Sequence, residues 1–592
     1  MLEWLGDLFG LLWGAVVLVL SVDFLSDLLL LSVLYVVGRY VYVAFRGNIQ
    51  SGKPARSFKL SSEEFGAGKE LDAINPATNE KITTVRAFTP DEVNECVRRA
   101  RVAQAEWAET SFDERRAVLQ DLMHAVVEQQ DTICHLSMQD TGKTRMEAEY
   151  GEILTTCEKI RHLIRNGEDA LKSESRGVPL LLFLKKAWVE YYPMGVIGII
   201  VPWNYPFHNV ASAAVAALFA GNSAVIKVSE CSLSSKDYFE KLFRKVLAAR
   251  GHNPELVTLI VGEGETGAAL VKSGVDKILF IGSPAVGKRV MEGASANLTP
   301  VILELGGKDP FIVLEDADLD HATEVALRGV FVNCGQNCIA AERIYVHNKI
   351  LPKFEEVVAK KVAAFRQGAS VNGGCFDVGS MTMPRQLEIV DELVQAAIQD
   401  GAKVLAGAKR DEKPGLFYRP TVLSNVNHSM RIVNEEVFGP VMLIIPFSSD
   451  DEAVRLANST EYALGSSIFS GNAARAHEVA RRVVAGMATI NDFGVGYLIQ
   501  SLPFGGTKIS GFGRFGGAEG LREFSRQKSV VTDRFPGVLT KAPAFTKYPI
   551  PENGPAIVKN AIHFFYGPES PSGLWAKATH LCAMLQLLIT LK

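Results

Sequence analysis

Two side chains could do chemistry together: the thiol of Cys338 in FVNCGQNC (331–338) and the carboxyl group of Glu304 in LELGG (303–307). A thiol attacks carbon well only as the thiolate, so a nucleophilic cysteine needs surroundings that stabilise the anion and a second group that handles protons afterwards. Glu304 is a candidate for that second group. The eight cysteines (Cys96, Cys134, Cys157, Cys231, Cys334, Cys338, Cys375 and Cys582) lack the spacings of a disulfide framework, which implies a reducing compartment. Cys334 and Cys338 form the only close pair, and with no second Cys or His pair nearby no metal site is expected. Taken singly, any of the eight also reads as a small buried apolar residue.

A phosphate-binding signal lies upstream. In KILFIGSPAVGKRV (277–290) a strand ends at Gly282, Ser283 can cap the helix that Pro284 begins, and Gly287 keeps the helix face low. Such a turn offers backbone N–H groups and a positive helix end to a phosphate. The usual G-x-G-x-x-G fingerprint is missing, so a plain strand-to-helix turn also fits. At another strand end, VIKVSE (225–230), Lys227 and Glu230 stand three residues apart. A carboxylate there accepts from ribose hydroxyls and repels a 2′-phosphate, which leans toward NAD over NADP; a solvated ion pair is the plainer reading.

Positioning these groups requires strand ends brought together. AWVEYYP (187–193), GVIGIIVP (195–202), SAVIKVS (223–229), LVTLIVG (256–262) and KILFIG (277–282) read as strands, with helices through 211–220 and 236–249 between them. Earlier segments, Glu92 to Trp107 and Phe112 to Gln129, have helical periodicity. Alternating strands and helices predict an α/β protein with a parallel sheet, whose ligands bind beyond the carboxyl ends of the strands. A chain of 592 residues is too long for one core, and 62 Lys plus Arg against 66 Asp plus Glu argues against a nucleic-acid partner.

The ends read differently. Apolar runs cover Leu8–Val22 and Leu28–Phe45, the second about long enough to span a bilayer, and Glu3 and Asp7 stand where a signal peptide would be basic. Residues 1–46 are therefore expected to be a membrane anchor of one or two helices, and 47–67 a polar linker. Arg39, Arg46, Lys53, Arg56 and Lys59 place the main body on the cytoplasmic side. The apolar run Leu574–Leu591 suits either an interfacial helix or ordinary packing.

VPWNYPF (201–207), IKVSE (226–230), FIGS with Gly287, LELGGKDP (303–310), NCGQNC (333–338), EEVFGP (435–440) and PFGGTKISGFGR (503–514) together resemble the NAD(P)-dependent aldehyde dehydrogenase superfamily over about residues 70–532. The apolar N-terminus, CEKIRHLI (157–164), IGSPAVGK (281–288) and AFTKYPIPENGPAIVK (544–559) resemble its membrane-bound plant and fungal members. The resemblance implies an aldehyde dehydrogenase-like fold: a parallel-sheet cofactor domain (68–174 and 194–303), a catalytic domain (304–520), bridging oligomerisation strands (177–193 and 524–533) and a C-terminal extension (534–592). It implies Cys338 as nucleophile, Glu304 as hydrolytic base and Asn204 as oxyanion donor. Cofactor contacts would fall on Trp203, on Lys227 and Glu230 at the adenosine ribose, and on Gly282, Ser283 and Gly287 at the pyrophosphate. Leu305, Gly306 and Gly307 would lie beside the nicotinamide, and Glu436 and Phe438 at its ribose.

Val228, Ile281 and Ala341 depart from the family's usual proline, threonine and glycine, which leaves NADP possible beside NAD. The resemblance further implies an aldehyde substrate and a homodimer or homotetramer. With the anchor, it suggests lipid-derived aldehydes, membrane lipid as a partner, and a site on the endoplasmic reticulum or another endomembrane. A CoA-acylating dehydrogenase is the competing enzyme, and Glu304 speaks against it because that chemistry needs no water-activating base. A catalytically silent scaffold would show a damaged site, whereas Cys338, Glu304 and Asn204 are all present.

Overall fold

The computed structural model describes residues 66–590. The two N-terminal apolar runs and most of the expected linker lie outside them. A hairpin of β1 (Glu70–Ile74) and β2 (Lys81–Arg86) comes first. Helices Pro90–Trp107 and Phe112–Glu128 follow where helical periodicity was read, opened by reciprocal caps between Thr89 and Glu92 and between Ser111 and Glu114.

Four of the five predicted strands enter one parallel sheet: β5 (Val196–Ile200), β6 (Ser223–Lys227), β7 (Val257–Ile260) and β8 (Lys277–Gly282). β9 (Val301–Leu305) joins them, in the order β9-β8-β5-β6-β7. Every residue of β5, β6 and β7 is buried, as sheets covered by helices on both faces demand. The fifth strand does not join this sheet. It is β4 (Lys185–Pro193), antiparallel to β3 (Glu174–Arg176) and β18 (Ser525–Asp533) in a separate three-stranded sheet.

A second sheet carries the rest of the site. Its strands are β10 (Asp309–Val313), β11 (Ala341–His347), β12 (Lys403–Ala406), β13 (Thr421–Ser424), β14 (Val441–Phe447), β15 (Ser467–Phe469) and β16 (Thr489–Ile490). They run β12-β13-β14-β11-β10-β15-β16, with only the edge strand β12 antiparallel. The chain passes between the sheets through Gly306, Gly307 and Lys308, from β9 directly into β10. It returns at β17 (Gly511–Phe512), which pairs with β9 so that Gly511 stands opposite Glu304. Just before β17, the Ser510 hydroxyl donates to the Gly306 carbonyl at 2.7 Å and accepts from the Ala463 N–H at 2.9 Å.

The C-terminal apolar run forms a helix, Pro571–Ile589, packed antiparallel on Gly554–Tyr566. The His563 and His580 rings stack at 4.3 Å, and Asn553 donates to the Leu587 carbonyl. Leu574, Trp575 and Ile589 are exposed. Among the described residues no helix is long and apolar enough to cross a membrane.

Candidate active site

The loop carrying Cys338 is held in an unusual backbone conformation. Helix Leu319–Phe331 ends in a kinked turn, Val332–Gly335, where Asn333 (φ 55°) and Cys334 (φ 56°) are left-handed. Non-glycine residues persist there only when their surroundings over-determine them. Those surroundings are visible: the Asn333 N–H donates to Glu147 at 2.6 Å, and its side-chain amide donates to the carbonyls of Asn204 (3.0 Å) and Gln336 (3.1 Å). Gln336 in turn accepts from the Thr382 N–H at 2.8 Å. Glu147 also closes the capping box of the short helix Arg145–Ala148, so one buried carboxylate serves a helix start and the cysteine loop. Gly307 makes the close approach possible, because a Cβ there would lie 2.5 Å from the Cys338 carbonyl oxygen.

Asn204 lies in the turn after β5. Its side-chain N–H donates to the Gln336 carbonyl at 3.2 Å, its Oδ1 accepts from Asn209 at 3.2 Å, and its amide has no second acceptor among the described residues; Asn204 lines the chamber. A buried ion pair braces this turn. Lys143 meets Glu152 at 2.5 Å with both side chains fully buried, and also donates to the Asn204 carbonyl at 2.8 Å. The other Glu152 oxygen accepts from the N–H groups of Phe207 and His208. The pair is neutral overall and each member is multiply hydrogen-bonded, the condition under which buried charges are tolerated.

Cys338, Glu304 and Asn204 line one cavity of about 970 Å³. Burial pushes the Cys338 thiol well above its ordinary range, and the nearby Glu304 carboxyl adds to the effect, so the resting thiol is protonated. Burial likewise raises Glu304 to about 7, partly opposed by a hydrogen bond with Cys338. One Glu304 oxygen has no hydrogen-bond partner. A carboxyl group that titrates near neutrality beside a thiol can take and return a proton.

Trp203, Gly282, Ser283, Leu305, Gly306, Glu436 and Phe438 line the same cavity. Ser283 occupies the cap position of helix Pro284–Ser295 yet makes no side-chain capping bond, so the helix presents unpaired N–H groups to the chamber. Gly306 gives the Glu436 carboxylate its place, since a Cβ would lie 2.1 Å from that oxygen. Burial, then Glu342, raise the Glu436 carboxyl well above the usual range, while the Gly307 N–H donates to it at 3.2 Å. The open helix start and the Glu436 carboxyl suit a dinucleotide's phosphates and ribose hydroxyls.

Four expected cofactor residues do not line this cavity: Lys227, Glu230, Gly287 and Gly307, the last of which donates its N–H to Glu436 beside it. Lys227 and Glu230 pair with each other at 3.1 Å beyond the end of β6. Burial opposes ionisation of Glu230, but Lys227 and nearby donors outweigh it and hold the carboxyl below its usual range. Gly287 faces the sheet: its missing side chain admits Leu305, whose Cδ2 would lie 2.8 Å from a Cβ.

Several contributors escaped the sequence reading. Lys308 and Glu342 form a second buried pair at 2.7 Å, and Glu342 accepts from the N–H groups of Val437 and Phe438, fixing the loop that bears Glu436. Lys143, Glu147 and Glu152 act similarly beneath Asn204 and the thiol loop. In sequence all five look like ordinary surface charges, and the backbone groups they brace, at Asn204, Phe207, Asn333 and Val437, are 55 or more residues away from the residue that braces them.

Two sheets meeting over one chamber, with an open helix start on one side and a thiol beside a carboxyl group on the other, define an NAD(P)-dependent oxidoreductase. The chain belongs to the aldehyde dehydrogenase family, whose profile matches residues 64–530. The aldehyde dehydrogenase-like protein C21C3 of Schizosaccharomyces pombe is 36% identical over 504 residues, covering 84% of this chain and 96% of that protein. The 4,4'-diapolycopene aldehyde oxidase of Methylomonas sp is 35% identical over 503 residues, covering 84% and 92%. The NAD+ complex of an aldehyde dehydrogenase from Bacillus cereus superposes with a TM-score of 0.74 at 32% identity, covering 79% of this chain and 94% of that one.

Proposed function

We propose that this aldehyde dehydrogenase oxidises apolar, lipid-derived aldehydes to carboxylic acids through a covalent intermediate on Cys338. The observation that carries the reading is the shared cavity: a protonated thiol and a carboxyl group titrating near 7 face the same space as an uncapped helix start. Glu304 takes the thiol proton as Cys338 Sγ bonds to the carbonyl carbon. The free Asn204 N–H and the Cys338 backbone N–H meet the oxyanion that develops. Ser283, Gly306 and Glu436 would hold NAD(P)+, which would supply the hydride acceptor needed to bring the carbon on Cys338 to the oxidation level of a thioester. Glu304 passes the proton taken from Cys338 to bulk water and, ionised again, deprotonates the hydrolytic water; the water oxygen attacks the thioester carbon, the C–S bond breaks to release the acid, and the departing thiolate recovers a proton from Glu304.

The substrate class follows from the walls. Val332, Ile339, Met383, Phe493, Leu498 and Phe504 line the chamber, and Arg328 at its edge is engaged by Asp492. The lining's other cation, Lys288, stands on the helix Pro284–Ser295, on the cofactor side of the chamber. The Methylomonas relative, whose name describes an oxidase of a polyene aldehyde, supports the same direction. The apolar runs in residues 1–46 support a membrane-anchored enzyme of the plant and fungal type, with its chamber on the cytoplasmic face of an endomembrane and lipid beside it. The three-stranded sheet of β3, β4 and β18 supports a homodimer or homotetramer. Straight-chain aldehydes from two to sixteen carbons, assayed with NAD and NADP, test the reading. kcat/KM should rise with chain length by about fourfold per added methylene until the chamber is filled; a maximum at the shortest aldehydes would refute it.

A further inference from the structure

Behind the thiol runs a hydrogen-bonded chain that the reaction as described does not use. Tyr497, on the short helix Val495–Leu498, lines the chamber, and its hydroxyl lies 2.7 Å from His208 Nε2. His208 Nδ1 lies 2.9 Å from the Thr156 hydroxyl. Thr156 is fully buried and His208 nearly so. Lys159, also buried, stands over the Phe515 ring at 4.9 Å.

Proton accounting gives the chain a direction. Burial pushes the His208 ring down to about 3, with Lys159 and Lys143 adding to the effect, so the ring is neutral and carries one N–H. A proton on Nδ1 would donate to Thr156 and strand the threonine hydrogen, because the His208 nitrogen is the only hydrogen-bond partner of that hydroxyl among the described residues. A buried donor without an acceptor is strongly disfavoured. A proton on Nε2 leaves no donor stranded in the interior: Thr156 donates to Nδ1, His208 donates to the Tyr497 oxygen, and the phenol hydrogen turns into the chamber. Glu304 lines the same chamber.

We propose that Tyr497 is a further catalytic residue, its O–H donating to the hydrolytic water and holding it against the Glu304 carboxylate, with His208 and Thr156 as positioning residues that aim the phenol. The water then has every group it needs. It accepts from Tyr497, gives one proton to Glu304, and attacks the thioester carbon with its remaining lone pair; the C–S bond breaks, sulfur leaves as thiolate and recovers its proton from Glu304. The inference rests on the thioester reading of the preceding subsection.

The test uses the full-length enzyme with decanal and NAD+, following NADH by stopped flow and the acyl adduct on Cys338 by rapid quench and intact mass. Tyr497→Phe should form NADH and the adduct at the parental rate but hydrolyse the adduct about tenfold or more slowly. Thr156→Val should slow hydrolysis in the same way, and Thr156→Ser should restore it to within about twofold, since serine keeps the hydroxyl donor. Parental hydrolysis in Tyr497→Phe, or Thr156→Ser as slow as Thr156→Val, overturns the proposal. If the parental enzyme forms no adduct on Cys338, the preceding reading fails and this inference falls with it.

Discussion

Replacing Glu304 by glutamine separates the two halves of the proposed reaction. Burial raises this carboxyl from 4.5 to about 7, which means that keeping it ionised in the chamber costs about 3 kcal/mol. If Glu304 is the hydrolytic base, the ionised fraction rises from about one-tenth at pH 6 to about nine-tenths at pH 8, so thioester hydrolysis should quicken about tenfold across that interval. Glu304→Gln should lose this dependence and hydrolyse the acyl-enzyme about 10²- to 10⁴-fold more slowly, while still releasing a first equivalent of NADH. The same carboxyl affects stability with a definite sign. Between 4.5 and about 7 the native protein holds more protons at this site than the unfolded chain, so stability contributed here falls as pH rises through that window. The glutamine variant should therefore unfold at a higher temperature than the parent at pH 8 and lose that advantage near pH 4. Stopped-flow NADH traces with single-turnover hydrolysis from pH 5.5 to 8.5, and melting curves at both ends, check both consequences. Undiminished steady turnover by the glutamine variant, or parental hydrolysis that is independent of pH between 6 and 8, would refute the reasoning.

Two other outcomes follow from the same contacts. Cys338→Ala should abolish oxidation of every aldehyde while leaving NAD binding, measured by calorimetry, within about twofold of the parent, because the alanine removes only the nucleophile; turnover above background would remove Cys338 from its role. Lys143→Met strands the fully buried Glu152 carboxylate and should destabilise the protein by about 3–5 kcal/mol in denaturant unfolding; adding Glu152→Gln should recover part of that loss, and a single-variant cost below about 1 kcal/mol would contradict the buried-pair reading.

The scaffold was legible where local pattern and tertiary environment agree. Strands β5 to β8 are largely apolar runs, with polar residues few and mostly at their ends, because helices cover both faces of the sheet, and the helix Lys236–Ala249 begins and ends where its periodicity does. The thiol and carboxyl drew attention by type, and the structure places them in one cavity with Asn204. Local pattern says less where the tertiary partner decides. AWVEYYP reads by local pattern as one more strand of the alternating series, yet it pairs with β18 more than 300 residues later, in the bridging sheet that only the family resemblance implied. Ser283 occupies a capping position without capping, and Gly287 serves packing against Leu305. Lys143, Glu152, Lys308 and Glu342 carry charges that composition assigns to the surface, and only the three-dimensional pairing makes their burial tolerable.

The pairing of β17 with β9 has a mechanical meaning. Glu304 sits on a strand held from one side by the cofactor sheet and from the other by a segment that returns from the catalytic sheet, and the Ser510 hydroxyl pins the next turn. Rotating the two sheets apart would have to peel away the strand that carries the base. The seam between the halves is thus a weld rather than a hinge, and cofactor exchange is left to side chains and loops at the chamber mouth. An enzyme joined in this way keeps its base and thiol in register through every turnover.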